Sequence, residues 1–179
     1  MEDLRQQEIR HHDEIAERLL ALSDYEFWAS ELRALYYQRT FISKMGEVSG
    51  MRLLECGVGS GLMACYFAWQ GAEVWGFDIS SGMIEVAFRR AKLWGVADRV
   101  QLKVMSFEEI DYEDEFFDKA YGNFILHHVD VEKAAAQLNR VLQGGASAVS
   151  GNMVREPYID VCEKTHSWAI WHKKGKHTW

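Results

Sequence analysis

"ECGVGSGLMACYFAWQGAEVWGFD", residues 55–78, decides the fold. It reads as the end of a strand, a glycine-rich turn, a short helix, a second strand and a terminal acid. Gly57, Gly59 and Gly61 give the backbone tight-turn geometry and let it approach a ligand closely. The helix that follows turns its free N–H groups and positive dipole end toward the same place. Asp78 ends the second strand, where a carboxylate can accept hydrogen bonds from both hydroxyls of a ribose. The stretch therefore describes a mononucleotide pocket.

Working outward, strands and helices alternate. "MRLLEC" (51–56) is a first strand, residues 60–70 a helix and "AEVWGFD" (72–78) a second strand. "SSGMIEVAFRRAKLWG" (80–95) is a helix capped by Ser80 or Ser81 and stopped by Gly95. "RVQLKVM" (99–105) and "FFDKAYGNF" (116–124) are the third and fourth strands. "DVEKAAAQLNRVLQGG" (130–145) reads as a helix closed by two glycines, and "ASAVSGNMV" (146–154) as a fifth strand. Single helices between strands imply a parallel sheet covered on both faces. Upstream, residues 2–22 form a charged amphipathic helix. "SDYE" (23–26) is a capping box that opens a second helix, which runs to Gly46. The predicted organisation is N-terminal helices over 1–48, an α/β core over 49–154 and an irregular tail over 155–179.

The totals bound the class. The 179 residues suit one domain, and 20 basic against 27 acidic residues give a net charge of −7. That charge disfavours the basic surface of a nucleic-acid binder. Cys56, Cys65 and Cys162 form no CxxC pair and read as reduced thiols. The start of the chain is too charged for a signal peptide, and no apolar run is long enough to span a membrane. The expectation is a cytoplasmic domain without a membrane segment.

The glycine register leaves the nucleotide open. A dinucleotide GxGxxG begun at Gly57 would need glycine at Leu62, whereas G-S-G-L-M-A from Gly59 is an acceptable GxGxxA. A nicotinamide dinucleotide and S-adenosylmethionine both fit on that ground.

The longer run "LLECGVGSGLMACYFAWQGAEVWGFDISSGMIEVAFRRA" resembles the opening of class I S-adenosylmethionine-dependent methyltransferases. The resemblance is to the small-molecule type that includes the ubiquinone and menaquinone biosynthesis enzymes. Glu55, Gly57, Gly59, Gly61, Asp78 and Ser80 match its first turn and the acid and capped helix after its second strand. "EEIDYEDEFFDKAYGNFILHHV" and "LNRVLQGGASAVSG" resemble later blocks of the same family in the same order. The likeness covers about residues 50–152. It implies a three-layer Rossmann-like sheet, mostly parallel, with N-terminal lid helices.

Carried over to this chain, the resemblance implies that Gly57, Gly59 and Gly61 face the methionine part of S-adenosylmethionine. Asp78 binds the ribose and Ile79 packs against the adenine. Ser106 and Phe107 reach the adenine edge, and Asn123 lies near the methionine amino group. The family usually has Asp where Ser106 stands, and Lys-Pro where Gln143 and Gly144 stand. Lid helices over the cofactor would bring Tyr25, Trp28 or Tyr36 to an acceptor pocket.

A methyl group on a sulfonium is already activated, so transfer needs alignment at about 3 Å more than strong acid or base help. Glu55 and Asp78 could supply a negative wall for the cationic cofactor. Equally, Glu55 could serve only to hold the amides of the turn. His127 and His128 are base candidates for a hydroxyl or ammonium acceptor, beside the simpler reading of packing or a helix start. "GNF" at 122–124 is not the Asn/Asp-Pro-Pro-Tyr/Phe sequence of amino-directed nucleic-acid methyltransferases. Cys162, His166, His172 and His177 fit no standard zinc spacing, and no metal is expected.

The family sheet ends in an antiparallel pair, and residues 155–179 are too few for its usual helix, strand and hairpin. The last strands are therefore expected to be missing. A homodimer, or the tail, would then cover the open edge. The leading function is methyl transfer to O, N or C of a small molecule. The alternative is a truncated or non-catalytic domain of the same fold that binds the cofactor or a partner protein.

Overall fold

The computed structural model describes residues 3–29, 38–123, 125, 129–151, 159–161, 169–172 and 175–178. Helix α1 (Leu4–Leu20) is followed by α2, helical over 24–29, and α3 (Arg39–Met45). The core then runs β1 (Arg52–Cys56), α4 (Leu62–Trp69), β2 (Glu73–Asp78), α5 (Ser81–Leu93), β3 (Val100–Val104), a 3-10 turn at Phe107–Glu109, β4 (Phe117–Asn123), α6 (Val131–Val141) and β5 (Leu142–Gly151). Short strands β6 (Ile159–Val161), β7 (Ala169–His172) and β8 (Gly175–Thr178) complete it.

The main sheet has the order β3-β2-β1-β4-β5-β6, and the first five strands pair in parallel. Successive side chains of the central strands point to opposite faces of the sheet, as the strand period requires. Leu53, Val74 and Tyr121 face one layer, with Phe41 and Met45 of α3, Met63 and Phe67 of α4, and Ala87 and Ala91 of α5. Leu54, Trp75, Phe77 and Ala120 face the other, with Phe107, Ala134, Leu138 and Val141. Both faces are covered, so β1 is buried over Leu53–Cys56 and α4 is apolar almost all round. The three-layer Rossmann-like architecture is the one expected from the sequence.

Local signals hold at several boundaries. The capping box forms as read: Ser23 N–H donates to Glu26 at 3.0 Å and Glu26 N–H to Ser23 Oγ at 3.3 Å. Ser80 caps α5, accepting from Met83 N–H at 3.0 Å, and Gly46 ends α3 at φ 64°.

Three expectations change. The helix drawn from Ser23 to Gly46 is not continuous, because Gln38 lies in a turn before α3. Phe27 packs with Ala16, Met83 and Val86, whereas Phe41 packs with Phe67 and Tyr121, so the segment serves two separate clusters. Helix α6 stops at Val141, and Gly144 and Gly145 fall inside β5. There the register jumps from Phe117↔Leu142 to Lys119↔Ser147, so residues 143–146 bulge out of the ladder. The tail expected to be irregular carries strands: β6 pairs antiparallel with β5, and β7 pairs with β8. β6 thus lies along Ala148–Ser150 of the β5 edge. Among the described residues, no helix is long and apolar enough to cross a membrane.

Candidate functional site

Strand order reverses at β1, with β2 on one side and β4 on the other, which opens a crevice at the carboxyl ends of these strands. The backbone leaves β1 through Gly57, Gly59 and Gly61 at φ 72°, 49° and 78°. At Gly61, the residue before α4, a Cβ would lie 2.7 Å from Ala87 Cβ and 2.8 Å from Ala87 Cα. Glycine there lets the turn seat against α5. At Gly59 a Cβ would meet nothing within 4 Å, so this side of the turn is open.

Asp78 ends β2 opposite the turn and is 8% exposed. Its Oδ2 accepts from Gly59 N–H at 2.9 Å and its Oδ1 from Ser80 N–H at 3.0 Å. One carboxylate therefore fixes both the glycine turn and the entry to α5. Each oxygen retains a lone pair for a further donor. Ile79, half-buried, and Ser106 border a cleft of about 310 Å³, together with Arg5, Lys103, Val104, Met105, Glu109 and Asp111.

Glu55 lies beneath the turn, 4% exposed. Its carboxyl accepts from Tyr121 O–H at 3.2 Å and from the backbone N–H of Ala64 in the first turn of α4. Burial pushes it up to about 8, and the Asp78 charge adds to the rise against those two hydrogen bonds. The shift favours the uncharged carboxyl and so weakens the share of Glu55 in the expected negative wall, while its hydrogen bonds hold the turn and the start of α4.

The other expected residues divide. Asn123 stands at the end of β4, its side-chain amide donating to Gln38 Oε1 at 3.4 Å. The Ser106 hydroxyl donates to Glu108 and accepts from Glu108 N–H at 3.3 Å, so it is engaged in starting the 3-10 turn. The Phe107 ring is buried against Phe77 at 5.5 Å between centroids, so its side chain belongs to the core. Tyr25 and Trp28 are 76% and 47% exposed. Tyr36, His127 and His128 lie outside the described residues, as do Cys162 and His166.

Two features were missed. Arg90 is 1% exposed within α5, with Nε donating to Ser60 O at 2.6 Å and the guanidinium 4.4 Å over the Phe27 ring. The signal was available: Arg90 repeats at helical spacing with Met83, Val86 and Ala87 and so belongs to the buried face of α5. Asp13 of α1 accepts from Ser80 Oγ at 2.5 Å and from Gly82 N–H at 3.3 Å. Nothing local marks it, because its partners lie far along the chain.

Among the residues present, those at the crevice fit a nucleoside cofactor: an open-sided glycine turn, a carboxylate at its rim, and an apolar Ile79 leading into the cleft. Comparison with known proteins gives methyltransferases among the relatives. Methyltransferase GfsG of Streptomyces halstedii is 30% identical over 128 residues, which are 70% of this chain and 44% of the relative. A ubiquinone/menaquinone biosynthesis C-methyltransferase of Geobacter sp. (strain M21) is 32% identical over 117 residues, 63% of this chain and 50% of that enzyme. The YcgJ protein of Bacillus subtilis superposes with a TM-score of 0.60 at 28% identity, covering 64% of this chain and 50% of its own. The chain spans about half the length of these relatives. A family model described as a methyltransferase domain matches residues 54–150, from β1 through the glycine turn to β5. That match takes in more than half of the chain, and the protein belongs to the methyltransferase domain family.

Proposed function

We propose that the chain binds S-adenosylmethionine in the crevice at the ends of β1, β2 and β4 and takes part in methyl transfer to a small-molecule acceptor. The observation that carries this reading is the Asp78 carboxylate, held between Gly59 and Ser80 with lone pairs to spare. When bound, the cofactor supplies a methyl group on a sulfonium, already activated toward a nucleophile.

The chain's part is binding and alignment. Asp78 accepts the ribose hydroxyls and is the negative group of the crevice. Gly57, Gly59 and Gly61 bring backbone close to the methionine portion, with Glu55 beneath them as the support of the turn. Ile79 and Met105 offer apolar surface to the adenine, and Ser106 and the Phe107 backbone stand at its edge. Asn123 is the polar group on the β4 side, where acceptor and cofactor meet. A base is required only for a hydroxyl or ammonium acceptor, and His127 and His128 are its candidates.

The acceptor class is small and flat or apolar. Support comes from the quinone-biosynthesis relative and from the net charge of −7, which disfavours nucleic acid. We place the chain in the cytoplasm, on three sparse cysteines whose spacing includes no CxxC pair. β6 lies along only part of the β5 edge, and a homodimer stays the candidate to cover the rest.

The test is incubation with S-adenosylmethionine labelled in the methyl group and a panel of quinols, phenols, isoprenoids and small polar amines. Label moving to a flat or apolar acceptor, and lost in Asp78→Ala, is the expected result. Turnover with small polar amines alone would overturn the acceptor class.

A further inference from the structure

Helix α1 is fastened to the crevice at defined points. At its middle, Asp13 Oδ1 accepts both the Ser80 hydroxyl at 2.5 Å and Gly82 N–H at 3.3 Å. Ser80 in turn accepts from Met83 N–H, and its own N–H donates to Asp78 Oδ1. Asp78 Oδ2 takes Gly59 N–H. An unbroken run of hydrogen bonds therefore leads from α1 through the N-terminus of α5 to the rim carboxylate and the glycine turn.

Three further contacts make this a built junction. Gly82 sits in the first turn of α5 without a left-handed φ, where alanine would by itself favour the helix. A Cβ there would lie 2.8 Å from Ala16 Cβ and 3.1 Å from Asp13 Oδ1, so glycine is what lets α1 pass this close. At the other end of α1, Arg89 of α5 donates to Leu19 O and Leu20 O at 3.2 Å and to Leu22 O at 2.8 Å, closing the carbonyls of the last turn. At its start, Arg5 borders the cleft beside Ile79 and Ser106. Against burial, hydrogen bonds from Ser106 and from the Asp130 and Glu108 backbone hold the Glu108 carboxyl below its ordinary value, and the Arg5 charge adds last to that effect.

We propose that Asp13 is a positioning residue of the cofactor site: it fixes Ser80 and the α5 N-terminus, and through them the Asp78 carboxylate, so that docking of α1 and binding of the cofactor are coupled. The inference rests on the cofactor reading above. Coupling is reciprocal, so a ligand that requires the ordered Asp78 loop must also tighten α1. A carboxylate beside the first turn of α5 also suits the helix dipole. Asparagine would keep the accepting oxygen and lose only the charge.

The experiment titrates the full chain with S-adenosylhomocysteine and follows hydrogen exchange in α1. In the unmutated chain the ligand is expected to slow exchange of the α1 amides. Asp13→Ala is expected to weaken binding about tenfold, the scale of one hydrogen bond to a charged group. Asp13→Asn is expected to restore affinity to within about threefold. Gly82→Ala, which wedges α1 away with Asp13 intact, is expected to weaken binding as Asp13→Ala does. Unchanged α1 exchange on binding overturns the coupling without any variant. Asp13→Ala and Gly82→Ala binding like the unmutated chain overturns it too, whatever happens to their thermal stability. Asp13→Asn as weak as Asp13→Ala overturns the acceptor role. No binding by the unmutated chain is a different failure, that of the cofactor reading itself.

Discussion

Arg90 Nε donates to the carbonyl of Ser60 at 2.6 Å, tying the buried face of α5 to the middle of the glycine turn. The same guanidinium lies over Phe27, so one cation joins the turn, α5 and α2. Arg90→Met keeps most of the volume and removes these polar contacts. It is expected to cost about 3 kcal/mol and lower Tm by about 9 °C, with a weakened affinity for S-adenosylhomocysteine. Thermal unfolding and titration of the same preparation check both. An unchanged Tm would mean that the contact does not support the turn.

Two glycines of the turn should respond differently to alanine. Gly61→Ala meets Ala87 at 2.7 Å in a left-handed conformation and is expected to reduce stability by about 3 kcal/mol or more. Gly59→Ala meets nothing, so its cost to folding is only the backbone strain of about 1 kcal/mol. Its methyl group enters the open side of the turn, and binding is expected to fall at least tenfold. Equal effects of the two variants on stability would contradict this division.

Glu55 sets a pH dependence. Its carboxyl is raised to about 8 in the folded chain against an ordinary 4.5, chiefly by burial. Between these values the unfolded chain has released a proton that the folded chain retains. The contribution of Glu55 to stability therefore falls as pH rises from about 4.5 to about 8 and is level on either side. Glu55→Gln cannot ionise, so its Tm is expected to gain on that of the unmutated chain across this window. Melting curves at pH 5, 6.5 and 8 that run parallel would contradict the upward shift of Glu55.

Much of this molecule is legible in the sequence because its signals are local. The glycine turn, the Ser23–Glu26 box, the Ser80 cap and Gly46 each depend on residues within a few positions. The alternation of Leu53 and Leu54 between the two faces of β1 follows from strand geometry alone. What was not legible depends on distant pairing. Asp13 finds Ser80 only once α1 has docked on α5, and Arg90 finds Ser60 only once α5 has packed against the glycine turn. The bulge at 143–146 is set by β5 pairing with β4, which overrides the helix-stop reading of Gly144 and Gly145. For Glu55 the sequence leaves open a ligand-facing acid and a holder of the turn amides, and its burial with Tyr121 and Ala64 as partners favours the second.

The central claim is that Asp78 and the glycine turn form a live pocket for S-adenosylmethionine. Titration calorimetry of the chain with S-adenosylhomocysteine tests it most directly, with NAD as control and Asp78→Ala as the specificity variant. Micromolar binding of S-adenosylhomocysteine, none of NAD, and loss of at least tenfold in the variant is the result predicted. Binding of neither ligand, or binding that survives Asp78→Ala unchanged, would contradict the account.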